Sequence, residues 1–208
     1  MLEHEYSVLG GVSRAKVGRY LSTVAASVSA ATVFSLLWVV DLARRFGLNA
    51  NVPPAVLSLV GAGAVFGALY WLLDRYAWRW GIFRLWLKVP DLSGEWQVDG
   101  ASVNQDGSNG NVWRGKITII QSWDRLRVRL RTSQSGSNSV SAAIIYDAAD
   151  GYRLFYSYRN EPNINEPDLK GHRGFAEVTF SHDLIEGEGE YFNGHGRYTF
   201  GRMKLRRL

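Results

Sequence analysis

The stretch LSTVAASVSAATVFSLLWVV, residues 21–40, contains no charged side chain. An α-helix rises about 1.5 Å per residue, so this stretch would cover about 30 Å, which is the thickness of the hydrocarbon core of a bilayer. A second uncharged stretch, PPAVLSLVGAGAVFGALYWLL, occupies residues 53–73, and Asp41 and Asp74 directly follow the two stretches. The sequence therefore predicts a hairpin of two transmembrane helices, in preference to a buried hairpin of a soluble protein or a signal peptide.

The net charge of +5 lies entirely in residues 1–88, because residues 89–208 hold equal numbers of basic and acidic side chains. Three basic residues precede the first apolar stretch, two lie in the connecting loop and four follow the second stretch. Lys and Arg concentrate in cytoplasmic loops, so this distribution predicts that both ends of the hairpin are cytoplasmic. No basic domain remains that would bind duplex nucleic acid.

Small residues recur at every fourth position in both apolar stretches. They are Ser22, Ala26 and Ala30 in the first stretch and Gly63 and Gly67 in the second. This spacing allows helix backbones to approach closely and to pack by van der Waals contact. The pattern fits packing within one hairpin and self-association between chains equally well.

The segment RYAWRWGIFRLWLK, residues 75–88, alternates aromatic and basic side chains. Aromatic rings and cations of this kind lie at the level of the lipid headgroups. We therefore expect a short interfacial segment that anchors its tryptophans in the membrane surface and leads into a soluble domain over residues 89–208.

The apolar residues of the soluble part repeat with a period of two. In DRLRVRLRT, residues 124–132, three apolar side chains face one way and four arginines the other, which is typical of a half-buried strand whose arginines point to solvent. Turn-rich segments separate it from seven further strand-like runs. These runs are residues 94–99, 112–121, 139–147, 151–159, 173–181, 184–192 and 196–205, and the turns include residues 104–111, 133–138, 148–151 and 193–196.

Eight short strands joined mostly by tight turns predict an eight-stranded antiparallel up-and-down barrel, with a two-sheet sandwich as the alternative. A barrel of this size is filled by side chains or holds one small ligand. The LSGEW segment, residues 92–96, places a Gly-x-Trp in the first strand and resembles lipocalin-type barrels, where the tryptophan plugs one end.

The strand segment GYRLFYSYRN, residues 151–160, places Tyr152, Tyr156 and Tyr158 on one face. Inward-facing tyrosines would offer flat apolar surfaces tipped with hydroxyls, which suit a nucleobase, although an ordinary aromatic core has the same pattern. The loop EPNINEPDLKGH, residues 161–172, is the longest of this part and carries two prolines. We expect this loop at the mouth of the barrel.

The sequence contains no recognisable catalytic or metal-binding motif. It has no cysteine, and it lacks a phosphate-binding loop and a nucleophile elbow. Glu186, Glu188 and Glu190 alternate with glycines, which is typical of the solvated face of a strand. We therefore expect a protein that is not an enzyme and needs no cofactor. The histidines, none of which are spaced as a ligand pair, are His4, His172, His182 and His195.

Several short motifs, in their order along the chain and together with the two apolar stretches, resemble a known family. This family comprises the two-transmembrane β-strand-rich effectors of bacterial CBASS antiphage systems, the SMODS-associating 2TM effectors, which accompany cGAS/DncV-like nucleotidyltransferases. The motifs are PDLSGEW (90–96), YRNEP (158–162), HRG (172–174), EGEYF (188–192) and TFG (199–201).

The resemblance implies that the barrel binds a cyclic dinucleotide that the partner nucleotidyltransferase makes after phage infection. Binding would promote self-association into a homo-oligomer, and the membrane helices would then disrupt the bacterial inner membrane and kill the cell. The barrel and both termini would be cytoplasmic, since the messenger is made there. A membrane-tethered lipocalin-like barrel that binds an apolar small ligand, or a protein partner, is the alternative.

The resemblance also implies binding residues at the positions that match the motifs. Tyrosine and arginine would stack on bases, arginine and histidine would meet phosphates, and asparagine and threonine would bind base or ribose edges. Together with Tyr156 from the tyrosine face, the candidate binding residues are Tyr158, Arg159, Asn160, His172, Arg173, Tyr191 and Thr199.

Overall fold

The computed structural model describes residues 3–49, 51–104, 106–194 and 198–208. The chain divides into two compact units. A helical unit comprises Val12–Ala77, and a sheet unit comprises the chain up to Gly11 together with Trp78–Leu208. In the order of the sequence, the helical unit therefore interrupts the sheet unit.

The first apolar stretch lies within one long helix, α1, which runs from Arg14 to Arg45. Ser13 caps its N-terminus, because its side chain accepts a hydrogen bond from the backbone N–H of Lys16 at 3.3 Å. Two basic residues, Arg44 and Arg45, occupy the last turn, where cations complement the helix dipole. The length and composition of α1 are sufficient to cross a membrane, as the sequence predicts.

The second apolar stretch does not form the single helix that the sequence predicts. It forms α2, Pro54–Leu59, and α3, Ala62–Arg75. The backbone is extended at Gly61, and the Ser29 hydroxyl of α1 donates to the carbonyl of Val60 at 2.5 Å. Glycine favours a break, and a serine from a neighbouring helix can satisfy a carbonyl at that break. Within the described ranges, α1 alone has the length and composition of a membrane span.

The small-residue positions lie away from the packing face between α1 and α3. Ser22, Ala26 and Ala30 are exposed, whereas the neighbouring Ala25 and Ser29 are buried. A Cβ atom added at Gly63 or Gly67 would meet nothing within 4 Å. These positions therefore do not bring the two helices of one chain together.

The described residues of the sheet unit form nine strands, one more than the sequence predicts. Strands β2 to β9 correspond to the eight predicted strands, while β1 precedes α1 and was not foreseen. His195, part of the predicted turn at 193–196 and the first residues of the predicted strand 196–205 lie outside the described residues. The strands are β1 His4–Leu9, β2 Gly94–Val103, β3 Asn109–Gln121, β4 Arg125–Thr132, β5 Ser135–Asp147, β6 Gly151–Pro162, β7 His172–Phe180, β8 Glu186–Asn193 and β9 Phe200–Arg207.

The strands β2 to β9 pair with their neighbours in the chain, all antiparallel, and β2 also pairs with β9, so that the sheet closes on itself. β4 and β5 pair directly at Arg129–Arg131 with Gly136–Asn138. Farther along, β1 lies between them, with Glu5 antiparallel to Arg125 and Tyr6–Leu9 parallel to Ala142–Ile145. The sheet is therefore mixed, and the predicted purely antiparallel, eight-stranded arrangement is corrected to nine strands.

Trp96 fills the interior of the sheet at one end. Its side chain is fully buried, its Nε1 donates to the carbonyl of Leu92 at 3.0 Å, and its ring packs against Phe180 at 5.2 Å. The guanidinium of Arg207 lies 5.1 Å from the Trp96 ring. The same group donates to three carbonyls, those of Asp91, Ser93 and Leu184. The tryptophan of the LSGEW segment is thus enclosed within the sheet at this end.

The segment before β2 forms a short 3-10 helix, Ala77–Arg79, and a helix α4, Gly81–Leu87. Ile82 and Leu85 are exposed on α4. Trp78, in contrast, is fully buried. A side chain without exposed surface cannot reach lipid, so the expectation that all the tryptophans of this segment are headgroup anchors is wrong for Trp78.

The outer face of the sheet carries the predicted solvated charges. The arginines of β4 alternate with the buried Leu126 and Val128. The three glutamates of β8 are exposed and form ion pairs with the basic residues of β9, which confirms that they belong to a solvated face. These pairs are Glu186–Arg206, Glu188–Lys204 and Glu190–Arg202.

Candidate ligand-binding cavity

A cavity of about 420 Å³ lies inside the closed sheet, toward the end away from Trp96. Small-molecule sites in proteins have volumes of roughly 300–1,000 Å³. The inward-facing side chains of β3 to β9 contribute most of its lining. The position follows from strand alternation, because every second side chain of a strand points into the enclosed space.

Six of the eight candidate binding residues line this cavity, and they come from three consecutive strands, β6 to β8, and from the segment before β9. Arg159 and Arg173 do not line it. They are exposed on the outer face, where they lie opposite each other in the register of β6 and β7, and Arg159 forms an ion pair with Glu161 at 3.3 Å. Successive residues of a strand point to opposite faces. The residues brought together are Tyr156, Tyr158, Asn160, His172, Tyr191 and Thr199.

Aromatic rings form one wall of the cavity. The rings of Tyr156 and Tyr158 lie 6.0 Å apart, and the ring of His172 meets that of Tyr158 edge-on at 6.5 Å. A Cβ atom at Gly174 would lie 2.4 Å from the Tyr158 hydroxyl, so only glycine allows this ring to cross β7. Burial raises the pKa of Tyr156, which keeps its hydroxyl neutral.

A chain of hydrogen bonds joins three polar side chains at the cavity. The Tyr158 hydroxyl donates to Oδ1 of Asn193 at 2.8 Å, and Nδ2 of Asn193 donates to the Thr199 hydroxyl at 2.7 Å. The backbone N–H of Asn193 also donates to the carbonyl of Thr199 at 2.7 Å. Asn193 was not predicted as a site residue, because the Asn-Gly pair that begins there indicates a turn and does not reveal where the side chain points.

Trp113 is a second cavity residue that was not predicted from the sequence. Its Nε1 donates to the Tyr191 hydroxyl at 2.9 Å, and the two rings meet edge-on at 5.7 Å. Two glycines make room for this pair. A Cβ atom at Gly100 would lie 2.2 Å from the Trp113 ring, and one at Gly201 would lie 2.6 Å from the Tyr191 ring. Trp113 therefore holds Tyr191 in a defined orientation against the cavity.

The described lining is uncharged apart from the titratable His172, and it contains no Lys, Arg, Asp or Glu. Hydroxyl and amide groups alternate with rings; Asn160, for example, donates to the Ser135 hydroxyl at 3.1 Å. The residues that the structure describes contain no cluster of His, Asp and Glu that could hold a metal ion. The arrangement suits a heteroaromatic ligand with several hydrogen-bonding groups.

Comparison with known proteins agrees with this geometry. Residues 87–207 match the family described as "Cap15, cyclic dinucleotide receptor domain", and residues 15–79 match "Cap15, TM helices". The CD-NTase-associated protein 15 of Yersinia aleksiciae is 42% identical over 208 residues, which cover 100% of this chain and 99% of that protein. The CD-NTase-associated protein 15 of Staphylococcus schleiferi is 27% identical over 138 residues, 65% of this chain and 70% of that protein. The resemblance to CBASS effectors is thus confirmed, and the chain belongs to the Cap15 family of CBASS-associated proteins, with a cyclic dinucleotide receptor domain and transmembrane helices.

Proposed function

We propose that this chain is an antiphage CBASS effector whose closed sheet acts as a minimal lipocalin-like barrel for a cyclic dinucleotide. The messenger comes from a cGAS/DncV-like nucleotidyltransferase. When the messenger binds, the helical unit disrupts the inner membrane. The observation that supports this proposal is the cavity, whose lining brings six candidate residues together. The chain acts as a receptor and performs no catalytic step.

The chemistry of the cavity supports a nucleotide. Tyr158 and Trp113 offer aromatic faces on which a base stacks, and the side chains of Asn160 and Thr199 offer donors and acceptors for base or ribose edges. A phosphate oxygen accepts hydrogen bonds from the same neutral donors. Arg159, like Arg173, lies outside the cavity and attracts the anionic messenger to the barrel without contacting it there.

The connectivity supports a multi-pass topology in the inner membrane. β1 precedes α1, while β2 to β9 follow α3, and all nine strands belong to one sheet. Both ends of the helical unit therefore lie on one side of the membrane, so a crossing by α1 requires a return crossing by α2 and α3. The return segment, Pro54–Arg75, would rise about 33 Å if it were helical throughout. The flanking basic residues favour the cytoplasmic side for the barrel and both termini.

The small residues of the helices support self-association within the lipid bilayer. Ser22, Ala26 and Ala30 are exposed, and the glycine positions of α3 have open space around them. Close contacts between such helices of different chains are stabilised by van der Waals packing in lipid. In this proposal, messenger binding promotes a homo-oligomer whose helices disrupt the membrane.

A thermal-shift assay of the full chain in detergent micelles tests the ligand. We expect a cyclic dinucleotide at 100 times its Kd to add about 2.7 kcal/mol of stability, whereas linear dinucleotides add less. Tyr158→Phe should weaken binding about tenfold, since it removes the donor to Asn193. Tyr152→Phe, on the same strand but outside the cavity lining, is the matched control. A shift with fatty acids and none with any cyclic dinucleotide would establish the apolar-ligand alternative instead.

Cell killing tests the membrane part of the proposal. In cells that make the messenger, the double variant Gly63→Leu with Gly67→Leu should lose most of its toxicity, because bulky side chains separate the helices. The control pair, Ala64→Leu with Ala68→Leu, has the same spacing on an adjacent exposed line of α3 and should stay toxic. Equal toxicity of the two double variants would remove the proposed role of the glycines.

A further inference from the structure

A row of phenylalanines crosses the outer face of the closed sheet. It consists of Phe155 on β6, Phe175 on β7, Phe192 on β8 and Phe200 on β9. The ring centroids of Phe155 and Phe175 lie 6.1 Å apart and those of Phe175 and Phe192 lie 5.6 Å apart, while Phe192 and Phe200 are direct register partners. Phe192 is 55% exposed and Phe200 is 47% exposed. Contiguous aromatic surface on a water-facing wall marks an interaction site.

Charged residues of both signs border this phenylalanine row. A groove of about 300 Å³ runs beside it and is lined by Glu177, Glu190 and Arg202 as well as by the rings. Glu190 and Arg202 lie 3.7 Å apart and are largely exposed. A surface with an apolar centre and both signs of charge at its border can be complementary to itself, because a two-fold axis can bring the Arg202 of one copy to a glutamate of the other.

The same border argues against lipid as the occupant of the row. Two of the three charged side chains that line the groove, Glu177 and Glu190, are acidic. Anionic headgroups repel such a border, whereas basic residues are what attract a protein to a negatively charged leaflet. A second copy of this chain satisfies both signs of charge and covers the rings.

Tyr191 connects this outer surface to the cavity. It lines the cavity and also the groove, and the next residue along β8 is Phe192, which faces outward. Trp113 holds the Tyr191 hydroxyl from inside the sheet. A ligand that contacts Tyr191 within the cavity therefore acts on a residue that also shapes the groove.

We propose that the phenylalanine row is the surface through which two copies of the receptor domain associate, and that ligand in the cavity favours this contact through Tyr191. This inference rests on the proposed function, because it assigns a surface to the ligand-promoted self-association. It adds a contact between sheet units to the helix contacts proposed within the membrane.

Sedimentation velocity of the full chain in detergent micelles, with and without cyclic dinucleotide, tests the inference. Phe192→Glu should still bind the messenger, as judged by its thermal shift, but its associated fraction should fall at least tenfold. The control Ile120→Glu places the same charge on the outer face of β3, at a side chain that is 42% exposed, and should associate normally. Normal association of Phe192→Glu with messenger bound would overturn the inference.

Cross-linking gives a second measurement that leaves the rings intact. The chain has no cysteine, so Glu190→Cys and the control Arg114→Cys each introduce a single thiol at an exposed site on the outer face. We expect the messenger to increase disulfide-linked dimers of Glu190→Cys at least fivefold and to leave Arg114→Cys unchanged. If no cyclic dinucleotide binds the wild-type chain, the proposed function fails. Dimers of Glu190→Cys without messenger would then still support the contact, and their absence would refute it.

Discussion

Arg207 offers the sharpest test of what holds the sheet unit together, because its neighbour Arg206 provides an internal control. Arg207 faces the Trp96 ring and donates to the carbonyls of Asp91, Ser93 and Leu184, at 3.2, 2.5 and 3.3 Å. Arg206 points to solvent, where it forms an ion pair with Glu186 at 3.1 Å.

The expected cost of Arg207→Ala follows from these contacts. Hydrogen bonds from a charged group contribute about 1.5–3 kcal/mol when buried, and we take about 1 kcal/mol for each of the three because they are only partly buried. With the cation–π contact, the loss is about 3–4 kcal/mol. At roughly 2–4 °C per kcal/mol, Tm should fall by about 6–16 °C. Arg206→Ala removes one exposed ion pair and should cost at most about 0.5 kcal/mol.

Thermal unfolding of the full chain in detergent micelles, followed by tryptophan circular dichroism in the near ultraviolet, measures both variants. The signal of Trp96 should respond to the change, because the guanidinium that Arg207→Ala removes packs on the Trp96 ring. Messenger affinity should be unchanged in both variants, since the cavity lies toward the other end of the sheet. Equal Tm values for Arg207→Ala and Arg206→Ala would refute the view that Arg207 stabilises the end of the sheet that Trp96 fills.

Two further perturbations follow from the core. Burial raises the pKa of Tyr156 in the folded chain above its ordinary value of 10.0. Below about pH 10 the side chain is neutral in both the folded and the unfolded chain, and its contribution to stability is complete. As the pH rises from 10 toward the folded pKa, only the unfolded chain ionises, and this contribution is lost. Above about pH 10, the Tm of Tyr156→Phe should therefore fall less with rising pH than the Tm of the wild type. An equal fall of Tm with pH in the two proteins would contradict this. Tyr6→Ala should loosen β1, because the Tyr6 side chain is buried. Hydrogen exchange should then become faster at the amides of Ala142–Ile145, which pair with β1, while the amides of β8 stay protected. Unchanged exchange at Ala142–Ile145 would argue against a role for β1 in closing the sheet.

Strands β2 to β9 were predictable because each carries its own period-two pattern and its own turns. β1 was not, because it is six residues long and its partners on β4 and β5 are more than a hundred residues away. A pattern within a segment contains no information about so distant a partner. At the break before α3, the Val60 carbonyl likewise has its partner on another helix, the Ser29 hydroxyl of α1.

The candidate site was predictable in part for the same reason. The alternation that places Tyr156 and Tyr158 on the inner face also sends Arg159 to the outer face, so the sequence contained this information although the motif suggested otherwise. Trp113 and Asn193 required the structure. Their importance depends on which end of a strand borders the cavity, and that is set by packing between strands distant in sequence.

The position of β1 has a consequence for how the chain is made and dissected. β1 leaves the ribosome before the helical unit, and its partners on β4 and β5 follow much later. The pairing of β1 with β4 and β5 can therefore form only after the helices have been synthesised. A water-soluble fragment that starts at residue 88 would lack this strand and would expose the backbone of Ala142–Ile145 as an open edge. A receptor fragment should therefore carry residues 3–11, joined by a short linker in place of the helices.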